Sequence, residues 1–197
     1  MENDDRLKIG FALTGSFCTF SKVIPQVEKL IASGIDIIPI MSEKASSTDT
    51  RFGKAEDFKE QLTAITGSSV LTKQTEVESI GPKKLIDALI IAHCTGSTLS
   101  KLANGISDTT VTLAAKATLR NNRPIIIAVS TNDGLSASAK NIGLLLNTKN
   151  FYFAPYGQDD PSGKPCSLVA DMDKLLETLT SAICGRQIQP ILSVKNI

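Results

Sequence analysis

The sequence predicts an α/β fold: a three-layer, doubly wound parallel sheet of the Rossmann or flavodoxin-like kind. Three observations carry that expectation. Short apolar runs of strand length alternate with longer segments whose apolar residues recur at helical spacing, the pattern of strand–helix–strand units with right-handed crossovers. The apolar content comes from Ile, Leu, Val and Ala, with no Trp and two Tyr, which is the usual filling of a parallel sheet covered on both faces. Four of the strand-like runs end in small polar clusters, as strands do at the carboxyl edge where open sheets bind ligands.

The elements follow in order. Lys8–Leu13 (KIGFAL) reads as the first strand, ended by Thr14-Gly15-Ser16. A helix from Cys18 or Thr19 to Ser33 puts Phe20, Val23, Ile24, Val27, Leu30 and Ile31 on one face, and Gly34 closes it as a left-handed stop. Ile35–Ile40 is the second strand, ending in Met41-Ser42, and residues 46–53 read as irregular. Ala55–Thr66 is an amphipathic helix built on Phe58, Leu62 and Ile65, followed by a short strand at Val70-Leu71. Ala88–Ala92 is a buried strand that empties into the loop His93-Cys94-Thr95-Gly96-Ser97-Thr98, and a helix runs on to Asn104.

Val111–Asn121 is a helix. Asp108-Thr109-Thr110 before it is either its N-cap region or a carboxylate aimed at a neighbouring subunit. Pro124–Val129 is another apolar strand, with a loop over residues 130–134 and a helix over Ser136–Leu146. Phe151–Phe153 is a last short strand, then a Pro/Gly-rich segment leads to a terminal helix, Asp171–Cys184. Residues 1–184 read as one domain, and 185–197 as a C-terminal arm whose Ile188, Ile191 and Leu192 suit it to docking.

Composition excludes several classes. A chain of 197 residues is long enough to bury a sizeable core, roughly 70% of its unfolded surface. With 21 basic and 20 acidic residues and no basic run, neither nucleic acid nor an anionic membrane is expected as a partner. No apolar stretch approaches the ~18 residues of a membrane span, and the acidic start MENDDRLK is unlike a signal peptide, so a cytoplasmic protein is expected. Cys18, Cys94, Cys166 and Cys184 form no CxxC pair and there is one His, so neither a zinc site nor a disulfide framework is expected.

The strand ends are where chemistry would sit. Thr14-Gly15-Ser16, Met41-Ser42, Thr95-Gly96-Ser97-Thr98 and Ser130-Thr131-Asn132 all fall on one rim of a parallel sheet. Gly15 and Gly96 admit a ligand close to the backbone, and Ser16, Ser42 and the N–H groups opening the first helix can hold a phosphate without a lysine. Taken singly, each cluster is better explained by helix caps and turns. Taken together, they favour a phosphate-bearing cofactor. The spacing is neither GxGxxG nor GxxxxGK[ST], so a third mode of phosphate binding is implied. His93 and Cys94 invite a thiolate pair, but neighbours on a strand face opposite ways and no acidic orienter is near. His93 stays as the one candidate for a catalytic group. Cys18, Cys166 and Cys184 have no activating company and read as packing or incidental residues. Asp159-Asp160 beside Pro161 and Gly163 reads as a solvated turn, since two carboxylates make no metal cage.

The run ALIIAHCTGSTLSKLANGISDTTVTLAAKATLRNNRPIIIAVSTNDGL resembles the core of the homo-oligomeric flavin-containing cysteine decarboxylase family. That family includes phosphopantothenoylcysteine decarboxylase, lantibiotic-peptide decarboxylases and flavin prenyltransferases. Cys94, Thr95, Thr98, Leu102, Ala103, Gly105, Asp108 and Ala114 fit its central motif, and the likeness spans residues 7–155. The resemblance implies an FMN site shared between subunits. Thr14, Gly15, Ser16 and Ser42 would serve the phosphate. Thr95, Gly96, Ser97 and Thr98 would serve the ribityl chain or ring, with Ser130, Thr131 and Asn132 at the ring edge. Asp108–Leu113 and the arm would complete a neighbour's site. The departures bear on activity: His93 stands for the family's loop proline and Ser97 for its Asn or Lys. Ser130-Thr131-Asn132-Asp133 replaces its Pro-x-Met-Asn, and the first helix has no histidine. Cysteine decarboxylation is therefore not expected. Within the family the run 97–135 is similar to one chain of a two-chain oxidoreductase of a cyclic dicarboxylate. Its partner chain is a nicotinamide-dependent Rossmann protein that brings NADP. The other readings are an independent FMN decarboxylase or prenyltransferase, and a binding subunit without flavin.

Overall fold

A computed structural model describes residues 6–193. The acidic start over 1–5 and the last four residues of the expected arm, 194–197, lie outside the described residues. Seven strands form the sheet: β1 (Lys8–Leu13), β2 (Asp36–Met41), β3 (Ala88–Cys94), β4 (Ile125–Thr131), β5 (Phe151–Phe153), β6 (Tyr156–Gly157) and β7 (Leu168–Ala170). Their order is β2-β1-β3-β4-β7-β6, with β5 also paired to β4. The chain passes from β1 outward to β2 and then returns to the other side of β1 for β3. The order therefore reverses between β1 and β3, the crevice where doubly wound sheets place ligands.

The α/β expectation holds, with one difference in the sheet. β1 to β5 are parallel, while β7 runs antiparallel to both β4 and β6, so the sheet is mixed. The far edge of β4 is divided. Ile125, Ile126 and Ile127 pair with β5, while Ser130 and Thr131 pair with Val169 and Leu168. A Pro/Gly-rich segment thus hides a two-stranded ribbon that the sequence pattern alone does not announce, because strands of two and three residues carry too little periodicity.

The strands at the centre are apolar because both faces are covered. Every residue of β3 is buried, and so is every residue of β1 after Lys8. Among the described residues, eight α-helices flank the sheet: α1 (Phe20–Ala32), α2 (Glu43–Ser47), α3 (Ala55–Thr66), α4 (Gln74–Val77), α5 (Gly96–Ala103), α6 (Thr110–Arg120), α7 (Ala139–Leu146) and α8 (Leu175–Ile183). Phe20, Val23, Ile24, Val27 and Leu30 are the buried stripe of α1, as the spacing requires. Ser46 and Ser47, expected as irregular, close the short helix α2, and Val70-Leu71 contributes a single bridge, Ile40 to Leu71, rather than a strand. Thr109, not Asp108, caps α6: its hydroxyl accepts from Thr112 N–H at 3.2 Å. Asp108 pairs instead with Lys101 at 2.7 Å.

The described part of the arm docks on its own domain. Gln187 Oε1 accepts from Phe153 N–H at 2.8 Å and its Nε2 donates to Phe153 O at 2.7 Å, so one side chain satisfies the open edge of β5. Ile188 is buried, and Leu192 bridges Tyr156 yet stays 62% exposed.

Candidate functional site

Where β1, β3 and β4 end, a cavity of about 410 Å³ opens, within the roughly 300–1,000 Å³ typical of ligand sites. Its lining comes from five places. The loop after β1 gives Gly15 and Ser16, and the entry to α1 gives Cys18, Thr19 and Lys22. Thr95 follows β3, and Ser130, Thr131 and Asn132 stand at the end of β4. The β6–β7 ribbon closes the remaining side with Asp159, Lys164, Ser167 and Val169.

The loops hold their shape through a polar lattice. Thr14 is buried and does not line the cavity: its hydroxyl donates to His93 O at 2.9 Å and accepts from Thr95 N–H at 3.3 Å. One side chain thus ties the end of β1 to the end of β3. Thr19 and Ser130 hydroxyls lie 3.3 Å apart and join the entry of α1 to β4. Behind the wall, Asp133 Oδ1 accepts from Thr131 and, at 2.9 Å, from Ser138. This cluster abuts the first turn of α5. A Cβ on Gly96 would lie 2.8 Å from Asp133 Oδ1, Ser138 Oγ and Thr131 Oγ1, so only glycine fits there.

His93 and Cys94 belong to β3 itself, not to the loop after it. The β3–β4 register shifts between Ala92 and Cys94, and His93 is fully buried beside the Phe20 ring, with centroids 5.4 Å apart. Its Nε2 lies 2.9 Å from both the Ser16 amide nitrogen and the Thr14 carbonyl oxygen, and its Nδ1 is buried without a partner. Burial pushes its pKa down to about 4, against the raising effect of Thr14, so the imidazole is neutral near pH 7. Burial pushes the Cys94 thiol up beyond its ordinary range, so no thiolate forms there. Neither residue lines the cavity. His93 supports the Thr14–Ser16 loop from beneath.

Six of the rim residues expected from sequence therefore share one cavity: Gly15, Ser16, Thr95, Ser130, Thr131 and Asn132. The others lie elsewhere. Ser42 is on the far side of β1 from β3 and caps α2, accepting from Ala45 N–H at 3.2 Å. Gly96, Ser97 and Thr98 form the first turn of α5, with Ser97 exposed. Sequence reasoning misses Thr19, Lys22, Lys164, Ser167 and Val169 as site residues, and treats Cys18 and Asp159 as incidental. The only signal for the four on the ribbon is their place after the final apolar run, because the ribbon folds back over β4.

The flavoprotein family model matches residues 1–179. The chain belongs to the flavoprotein family. The B subunit of dipicolinate synthase from Bacillus subtilis (strain 168) is 44% identical over 185 residues, covering 94% of this chain and 92% of that one. The crystal structure of the dipicolinate synthase B subunit from Bacillus halodurans C is 42% identical. It covers 96% of this chain and 97% of that chain at a TM-score of 0.88. At 16% identity, Burkholderia xenovorans DmrB in complex with FMN, a cubic protein cage for redox transfer, shares the fold. Its TM-score is 0.69, over 93% of this chain and 98% of that one.

The cavity suits the cofactor class that gives this flavoprotein family its name. Hydroxyls of Ser16, Thr19, Thr95, Ser130 and Thr131 offer both donors and acceptors along a ribityl-like chain. Gly15 leaves the loop backbone open to a phosphate, and the nearest atoms to a Cβ there belong to the flexible Lys44 side chain, at 3.2 Å. Among the described residues no group of His, Cys, Asp or Glu could hold a metal ion.

Proposed function

We propose that this chain is the B subunit of a two-chain dipicolinate synthase. It binds flavin mononucleotide in the rim cavity and acts with a nicotinamide-dependent A subunit that brings NADP. Together they form dipicolinic acid from a dihydrodipicolinate-type precursor in the mother-cell cytoplasm of a spore-forming bacterium. The observation that carries this reading is the 44% identity to the B subunit of Bacillus subtilis dipicolinate synthase, sustained over 94% of this chain and 92% of that one.

The site supports it in three ways. Gly15, Ser16 and the backbone amides leading into α1 would hold the phosphate, with Thr95 along the chain and Ser130, Thr131 and Asn132 at the ring edge. A bound flavin would supply the redox chemistry that no side chain here offers. The single histidine is buried and neutral, and the Cys94 thiol is inert, so the protein's share is binding, orientation and exclusion of water. The same facts count against a stand-alone decarboxylase or prenyltransferase. They leave a flavin-free binding subunit as the competitor. Self-association is part of the proposal.

The test combines purified chain, purified A subunit, NADP and the dihydrodipicolinate-type precursor, and follows the ultraviolet absorbance of the pyridine dicarboxylate. Product is expected only with both chains present, and faster after loading this chain with FMN. Equal rates from the A subunit alone would remove the B-subunit assignment.

A further inference from the structure

His93 Nε2 has two partners and can serve only one of them at a time. It lies 2.9 Å from the Ser16 amide nitrogen, a donor, and 2.9 Å from the Thr14 carbonyl oxygen, an acceptor. The imidazole is neutral, so Nε2 is either a bare acceptor or an N–H donor, according to which ring nitrogen holds the proton. With the proton on Nδ1, Nε2 accepts from Ser16 N–H, while its lone pair also faces the Thr14 oxygen. The Nδ1–H is then buried without a partner. With the proton on Nε2, the ring donates to Thr14 O, and Ser16 N–H loses its acceptor on the ring.

The two forms differ in one group that a ligand can reach. Ser16 lines the cavity, whereas His93 is fully buried behind it. In the second form Ser16 N–H keeps only the Thr14 carbonyl, at 3.0 Å across a three-residue turn centred on Gly15. Gly15 has no Cβ, so the peptide between it and Ser16 is free to turn its N–H toward the cavity. An anionic oxygen there accepts a charge-assisted bond, stronger than the bond to a neutral ring nitrogen. With no such oxygen present, the ring nitrogen is the better partner for that N–H. The empty cavity therefore favours the first form and an anion the second.

We propose that His93 is a positioning residue for the phosphate group: its Nε2 holds the Ser16 N–H while the cavity is empty and yields it to a phosphate oxygen on binding, becoming an N–H that donates to Thr14 O. The change is proton-neutral, since Nδ1 gives one proton to solvent and Nε2 takes one from it. Thr14 is already tied to the end of β3 through its hydroxyl, so the new bond fixes the loop around the ligand. The identity of that phosphate as FMN rests on the flavin reading; the competition at Nε2 does not.

The chain has one histidine, so in the untagged full-length protein its ring nitrogens give a single set of NMR signals. Proton–nitrogen correlations at pH 7 tell a protonated ring nitrogen from a bare one. The proton is expected on Nδ1 in the free chain and on Nε2 after saturation with FMN or with inorganic phosphate. Riboflavin, which lacks the phosphate, should leave it on Nδ1. Flavin retention is read separately, from the visible spectrum. FMN held without a change of tautomer would overturn the proposal and spare the flavin site. No retained FMN, with inorganic phosphate still moving the proton, would remove the flavin reading and support the proposal. One tautomer in every state, or an equal change with riboflavin, would overturn it.

Discussion

At the scale of single residues, the account rests on two positions where the surroundings leave little choice. His93 is neutral in the fold because burial opposes its charge, with a pKa near 4 against about 6.5 when unfolded. Between those values the unfolded chain binds the extra proton, so stability is full above pH ~6.5 and falls as pH drops towards 4. The loss is on the order of 3 kcal/mol. Urea unfolding of wild type and His93→Gln at pH 7 and pH 4.5 should show a distinctly steeper loss in the wild type; parallel losses would mean that the imidazole is not so placed. Gly96 is the second position. Gly96→Ala drives a methyl into Asp133, Ser138 and Thr131, and overpacking of this kind costs about 1–3 kcal/mol, visible as a drop in Tm of several degrees. Gly15→Val differs in kind: the three atoms nearest a Cβ there all belong to the flexible Lys44 stem, so the fold is expected to persist while flavin affinity is lost.

Elements show where sequence suffices and where it does not. α1 and α3 are legible because their apolar stripes follow helical spacing over a dozen residues, fully buried in α1 and half-buried at Phe58 and Ile65 in α3, and α3 ends on Gly67 in the left-handed region. Strand ends are less legible. His93, Cys94, Ser130 and Thr131 look like loop residues by type, yet β3 and β4 run on through them: Cys94, Ser130 and Thr131 pair with neighbours, and His93 sits at the register shift between Ala92 and Cys94. The apparent loop Gly96–Thr98 is helical because α5 begins directly after Thr95. The cap of α6 is testable at this scale. Thr110 N–H and hydroxyl both donate to Glu43 Oε1 at 2.8 Å, so the helix start is anchored by Thr109 and by a carboxylate from α2. Thr109→Ala should cost about 1 kcal/mol in chemical denaturation, and the double variant with Glu43→Gln should cost more than Thr109→Ala alone. No added cost in the double variant would show that the Glu43 contact contributes nothing.

For the whole molecule, strand order decides what the site contains. β1, β3 and β4 are adjacent, so their loops converge, whereas β2 lies one strand too far and carries Ser42 out of the cavity. That order is set by long-range pairing, which local patterns do not encode. The same holds for the β6–β7 ribbon, whose return over β4 brings Asp159 and Lys164 to a rim built from the ends of β1, β3 and β4. The central claim is that this rim, rich in hydroxyls, is a flavin site. The most direct measurement is the visible spectrum of the purified chain after incubation with excess FMN and desalting. The account predicts stoichiometric retained flavin absorbance, abolished by Gly15→Val in a protein with an unchanged unfolding temperature. A colourless wild-type chain under the same conditions would contradict it and leave the rim as a cluster of caps around a dicarboxylate pocket.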